Sequence, residues 1–196
     1  MVIGYQAEAV RDDVALLGSG TRTLLIENPE FHQGSVLSLW CAREFLCMRK
    51  PLLLMDADVL YDRRLMARLI GSSHENCFLL DREIESGEEP VKLCITNDRI
   101  VDFHKRPQIA HAWHGESVGF FRFSPDAAAE LADRVGTYVT TGRSHLEYEE
   151  PIRDMLLASQ GSGFGFEDIT GLPWIEIDFP EDVQRAETDV LPLLVA

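Results

Sequence analysis

Two acids close an apolar run in the first third of the chain. Leu52-Leu53-Leu54-Met55 leads into Asp56-Ala57-Asp58, and a helix-like stretch begins at Arg63. An apolar run in that setting, after Pro51, reads as an inner strand of a parallel sheet. Ligands of open α/β sheets bind just beyond the carboxyl ends of such strands. Carboxylates there can hold a divalent metal against a nucleotide phosphate. Trp174-Ile175-Glu176-Ile177-Asp178 repeats the pattern near the other end of the chain. By itself a D-x-D is common, so Asp58 reads as either a metal ligand or a plain strand-end acid. Asp178 either ligates or caps the helix that Pro180 opens. Glu176 alternates with Ile175 and Ile177, so it shares a side with Asp178 or lies out in solvent.

The elements that must position these acids alternate in type. Strand-like segments are Met1 to Tyr5, Thr23 to Ile26, Leu52 to Met55, Cys77 to Leu80, Val91 to Ile95, Ile100 to Phe103, Ser117 to Phe123, Phe164 to Ile169 and Trp174 to Ile177. Helix-like ones are Ala7 to Leu17, Ser35 to Met48, Arg63 to Ile70, Pro125 to Val135, Tyr148 to Ser159 and Pro180 to Glu187. Val36, Leu39, Trp40 and Phe45 are the expected core face of the second helix. Asn97-Asp98-Arg99 marks a hairpin. The order predicts one mixed α/β domain over residues 1–196. Gly18-Ser19-Gly20 is too short for a phosphate loop and precedes a strand rather than a helix.

Composition narrows the function. The chain has 196 residues, 45% of them hydrophobic, and a net charge of −15. That charge argues against a nucleic-acid partner, which needs a basic stripe. No apolar stretch approaches the roughly 18 residues of a membrane span, and no signal peptide follows Met1. Cys41, Cys47, Cys77 and Cys94 include no C-x-x-C pair, and read as reduced, buried thiols of a cytoplasmic protein. His111 and His114 lack a third partner at ligand spacing, which makes zinc a weak reading. Asp182 and Arg185, three apart on a helix, are expected to pair.

Four stretches together resemble the MobA-like and sugar-phosphate nucleotidyltransferase superfamily, and most of all its phosphocholine cytidylyltransferase type. They are Ile3-Gly4-Tyr5-Gln6-Ala7-Glu8; Glu27-Asn28-Pro29 with Ser35, Ser38 and Leu39; Leu54 to Val59; and Glu176-Ile177-Asp178 running on to Arg185-Ala186. The resemblance implies a Rossmann-like three-layer fold with a mixed, mostly parallel sheet. It implies Mg²⁺-dependent transfer of a nucleotidyl group, cytidylyl in the nearest type, from an NTP such as CTP to a small phosphorylated alcohol or amino-alcohol. Asp58 and Asp178 would be the metal carboxylates, Asp56 would order a metal-bound water, and Lys105 would face the substrate phosphate. Tyr148, Glu149 and Glu150, with Trp113, His111 and His114, would hold an amine end by cation–π and charge attraction. Acids at 147, 149 and 150 equally suit the first turn of a helix. Ser35 lies in the segment that contacts base or sugar, although Gln33 and Gly34 stand where the family has an Asn.

The family's N-terminal strand and Gly-rich "LAAG-x-G-x-R" loop have no counterpart in these residues. The expectation is therefore a fold without its first βα unit, poorly active or inactive as it stands. Two other readings compete. One is a GT-A glycosyltransferase using Asp56-Ala57-Asp58 on a nucleotide-sugar. The other is a non-catalytic remnant that binds a partner or self-associates through an unpaired sheet edge.

Overall fold

A computed structural model describes residues 1–17, 23–84 and 89–194. The Gly18-Ser19-Gly20 run lies outside them. Contacts divide the chain into two compact units, one of Met1–Lys50 with Pro125–Ile152 and one of Pro51–Ser124 with Arg153–Ala196.

The first unit opens with β1 (Val2–Ile3), α1 (Ala7–Leu16) and β2 (Ile26–Glu27). β1 and β2 pair in parallel, Val2 opposite Ile26. The expected long helix from Ser35 is broken into α2 (Ser35–Cys41) and α3 (Arg43–Leu46). The last turn of α2 tightens, with Ala42 N donating to both Ser38 O and Leu39 O, and the apolar face changes direction there. Val36 and Leu39 are buried as expected, but Phe45 is exposed. Asn28, also buried, ties this region together: its Nδ2 donates to Ser38 Oγ (3.1 Å) and its Oδ1 accepts from Glu30 N (3.0 Å).

The second unit begins with β3 (Leu52–Met55), β4 (Val59–Tyr61) and α4 (Arg63–Gly71). Asp62 caps α4 by accepting from Arg64 N at 2.8 Å. Then come β5 (Asn76–Asp81), β6 (Lys92–Thr96), β7 (Arg99–His104) and β8 (Trp113–Phe123). Asn97 and Asp98 form the expected hairpin turn, both with positive φ (50° and 57°), as such two-residue turns require. The chain returns to the first unit in α5 (Pro125–Thr140), whose Ala128, Leu131 and Val135 are buried. It ends with α6 (Glu149–Ala158), β9 (Phe164–Asp168), β10 (Trp174–Glu176) and α7 (Pro180–Arg185).

The main sheet runs β7-β6-β8-β5-β9, with β3 also on β8. β8 is long enough to serve three neighbours. Glu116 pairs with both Asp81 of β5 and Lys92 of β6, while Phe121 pairs with both Phe78 of β5 and Leu54 of β3. β6 and β3 therefore share one edge of β8, and β5 takes the other.

The α/β class and the mixed sheet are as expected, but antiparallel ladders outnumber parallel ones. Only β5 with β9 runs parallel in this sheet. β3 is not the inner parallel strand its apolar run suggests. Among the described residues it has one ladder, antiparallel to β8, and Leu53 is exposed. The strand buried along its whole length is β5. Side-chain alternation sorts β5 onto two faces. Cys77 and Leu79 join Leu65 and Leu69 of α4 with Val118, Phe120 and Ile169. Phe78 turns the other way and packs edge-on against Phe103 and Phe121 at 5.3 and 5.1 Å.

The cysteines are reduced, but not all are buried. Cys77 and Cys94 are, and burial pushes their thiols up to about 11 and about 12. Cys47, just past the end of α3, is exposed.

Candidate active site

The acids expected to work together meet in the second unit. β4 and β10 form a two-stranded antiparallel ladder, Val59 opposite Glu176. One step further, Ile177 N donates to Asp58 O at 3.0 Å. This ladder, and not sequence proximity, carries the turn after β3 to the end of β10. Carboxylate oxygens of Asp58, Glu176 and Asp178 consequently lie within 4.8 Å of one another. Glu176, whose direction the alternation left open, faces its two partners.

Asp178 is not the cap of α7. That position falls to Phe179, and Asp182 reaches back to satisfy the helix start. Its Oδ2 accepts from Phe179 N (2.9 Å) and Asp178 N (3.2 Å), and Arg185 donates to its Oδ1 (3.1 Å). The expected Asp182–Arg185 pair exists, and it fixes the backbone that bears Asp178. Those backbone N–H donors, Phe179 first, hold the Asp182 carboxyl below its ordinary range.

Two of the three clustered acids, Glu176 and Asp178, behave oppositely. Partial desolvation beside the β4·β10 ladder first, then the charges of Asp178, Asp58, Asp56 and Glu116, push Glu176 up to about 7. Burial and the Asp58 charge also raise Asp178, against the pull of Lys105. Among the described residues no cation is within ion-pair distance of Asp58, Glu176 or Asp178. Three hard oxygen donors that repel one another and have no ion-pair partner among the described residues suit Mg²⁺ or Mn²⁺. All three are exposed to solvent, so a cation there keeps room for water and phosphate oxygens.

A cleft of about 670 Å³ has Glu176 and Asp178 on its wall, with Asp81, Glu116, Trp174 and Phe179. Asp81 and Glu116 stand opposite each other in the β5·β8 ladder, both buried. Trp174 Nε1 donates to Asp81 Oδ2 at 2.7 Å.

The remaining candidates divide. Lys105 lies close enough to Asp178 to lower its pKa, and is itself paired with Glu89 (2.9 Å). Lys92 turns inward as a brace, donating to the backbone oxygen of Lys105 (3.0 Å). Trp113 has a cation on its face already, Arg82 at 4.3 Å. His111 and His114 bond to each other at 3.0 Å, and no third ligand joins them among the described residues. Ser35, Tyr148, Glu149 and Glu150 belong to the first unit. There Ser35 Oγ accepts from Tyr148 N (2.8 Å), while Glu149 and Glu150 sit in the first turn of α6. Gly34 (φ +143°) lets this happen, since a β-carbon on it would stand 2.6 Å from the His145 carbonyl carbon.

No family model matches the chain. It is 24% identical over 193 residues to the bifunctional IPC transferase and DIPP synthase of Rubrobacter xylanophilus, covering 97% of this chain and 41% of that one. The chain thus spans about two-fifths of the length of that curated relative. Its fold is similar to the inositol-1-phosphate CTP transferase of T. maritima, with a TM-score of 0.71 at 15% identity over 100% of this chain and 77% of that one. It is also similar to the CTP:phosphocholine cytidylyltransferase of Streptococcus pneumoniae, with a TM-score of 0.65 at 14% identity over 95% and 76%. The fold is that of the nucleotidyltransferase superfamily. These likenesses do not favour the glycosyltransferase reading. Among the described residues no helix is long and apolar enough to cross a membrane.

Proposed function

We propose that the chain carries out nucleotidyl transfer, with CTP as donor and a small phosphorylated polyol or amino-alcohol as acceptor. An acceptor phosphate oxygen attacks the α-phosphorus, and the bond to the β-phosphate breaks to release pyrophosphate. The observation that carries this reading is the meeting of Asp58, Glu176 and Asp178 at one edge of a roughly 670 Å³ cleft, in a chain whose whole length superposes on a CTP transferase.

Asp58, Asp178 and Glu176 would hold Mg²⁺. When bound, Mg²⁺ supplies positive charge against the phosphate oxygens of the donor. The chain's own contribution is alignment and charge. Asp182 fixes the Asp178 backbone, Glu176 gives up its proton when the cation binds, and Lys105 offers a positive charge beside Asp178 to an anionic substrate. The names of the relatives support a phosphorylated polyol as acceptor, or phosphocholine. Buried carboxylates at Asp81 and Glu116 suit hydroxyl or ammonium donors alike. An amine on the ring of Trp113 would first have to displace Arg82.

The test is pyrophosphate release from CTP, ATP, GTP and UTP with Mg²⁺, in the presence of inositol 1-phosphate or phosphocholine. Slow release with CTP and one acceptor, abolished by EDTA, is the expected result. Absence of release in every combination, together with no Mn²⁺ binding, would overturn the reading.

A further inference from the structure

Asp56 and Gly119 meet in a way that the reading above does not use. Asp56 extends the β3·β8 ladder by one residue, its N donating to Gly119 O at 3.1 Å. On its other edge β8 bulges at this point. From Phe78 to Leu80 β5 advances two residues, while their partners, Phe121 and Ser117, are four apart. Gly119 sits inside that bulge with φ +73°, and its N donates to Ser117 Oγ (3.4 Å). Bulges of this kind re-aim groups beside functional sites. A β-carbon on Gly119 would overlap the Oδ2 atom of Asp56 outright and stand 2.8 Å from its Cγ. The missing side chain is therefore the space that the Asp56 carboxylate occupies. Asp56 stands two residues before Asp58, in the turn whose Asp58 O accepts from Ile177 N and whose Val59 pairs with Glu176.

We propose that Gly119 is a positioning residue whose bare α-carbon seats the Asp56 carboxylate beside Asp58, Glu176 and Asp178. Asp56 then acts as a fourth negative charge that orders the water shell of a bound divalent cation. This rests on the metal reading given above. An outer carboxylate of this kind governs affinity through the orientation of the inner ligands and their waters.

The experiment is Mn²⁺ titration followed by the free-ion EPR signal, on the full chain and on G119A, D56A and D56A/G119A, with a melting curve for each. G119A and D56A should each weaken Mn²⁺ binding by about tenfold. The double variant should bind no more weakly than D56A within about twofold, because the carboxylate that the added methyl group would expel is already gone. Losses that multiply in the double variant, or a G119A protein that binds as the parent does, would overturn the proposal. If G119A fails to fold, recovery of folding in D56A/G119A supports the seat. Failure of both assigns the damage to the backbone at φ +73° and overturns it. A parent chain that binds no Mn²⁺ removes the metal reading. The seat is then decided by melting alone: suppression of the G119A loss by D56A supports it, and additive losses reject it.

Discussion

Two groups of carboxylates in the second unit are treated in opposite ways. Asp102, in β7, is fully buried. Burial by itself would raise its pKa, but Arg153 and the amides of Gln108, Ile109 and Phe103 outweigh that and hold it below the ordinary range. The contacts are 2.7 Å from Arg153 Nε and 2.9 to 3.1 Å from the amides. At Asp58, Glu176 and Asp178 the chain gathers three acids in water and gives them one another for company. Asp102 is completed by this chain, so its charge serves the fold, pinning the turn that carries Lys105. Under the proposed function a divalent cation would complete the triad. Excess like charge at a cleft edge is a cost to the fold that such a cation would relieve.

Substitutions should separate the two groups. The largest effect is expected at the triad. D58N or D178N should lower pyrophosphate release by about 100-fold or more, with a melting temperature equal to or above that of the parent, because a repulsion has been removed. Breaking the buried pair should do the reverse. D102N leaves Arg153 facing a neutral amide and should cost about 3 kcal/mol, which is a fall of about 10 °C for a chain of this size. Thermal melts beside rate assays on the same preparations check both. A D58N protein that melts well below the parent would place Asp58 among the structural acids and erase the contrast.

Part of this was legible in the sequence. The D-x-D at the end of an apolar run and the EID segment before Pro180 make Asp58 and Asp178 candidates, with the family resemblance rather than local chemistry pointing to a metal role, and Asn97-Asp98 declares its turn by backbone preference. What stayed hidden depends on pairing between distant segments. The β4·β10 ladder joins residues more than a hundred apart, and without it Glu176 has no assigned face. The apolar run at Leu52 states that the strand is partly buried, but not which edge is paired or in which direction. β5, whose sequence Asn76-Cys77-Phe78-Leu79-Leu80-Asp81 has polar ends, proved to be the more deeply buried strand. No local pattern singles out Asp102, because its four donors lie in β7 itself, in the following turn and in α6. The place of Gly119 needs the β8 register, which no local pattern encodes.

The subtlest effect belongs to Glu176 and tests whether the triad awaits a cation. With its pKa pushed up to about 7, against about 4.3 in an unfolded chain, the folded protein keeps a proton that the unfolded one has lost across that interval. The stability this contributes is therefore complete below about pH 4.3 and disappears as pH rises through about 7. Asp102 and Asp182, held low, lose their contributions as pH falls, in a lower window. In metal-free buffer the melting temperature of E176Q should accordingly gain on that of the parent between about pH 5 and about pH 7.5. Binding a divalent cation requires Glu176 to release its proton. Mn²⁺ affinity of the parent should rise toward about tenfold per pH unit up to about 7 and then level off, with a shallower slope in E176Q. Identical slopes in the two proteins would mean that Glu176 stands beside the cation site without belonging to it, and would leave Asp58 and Asp178 to hold the ion as a pair.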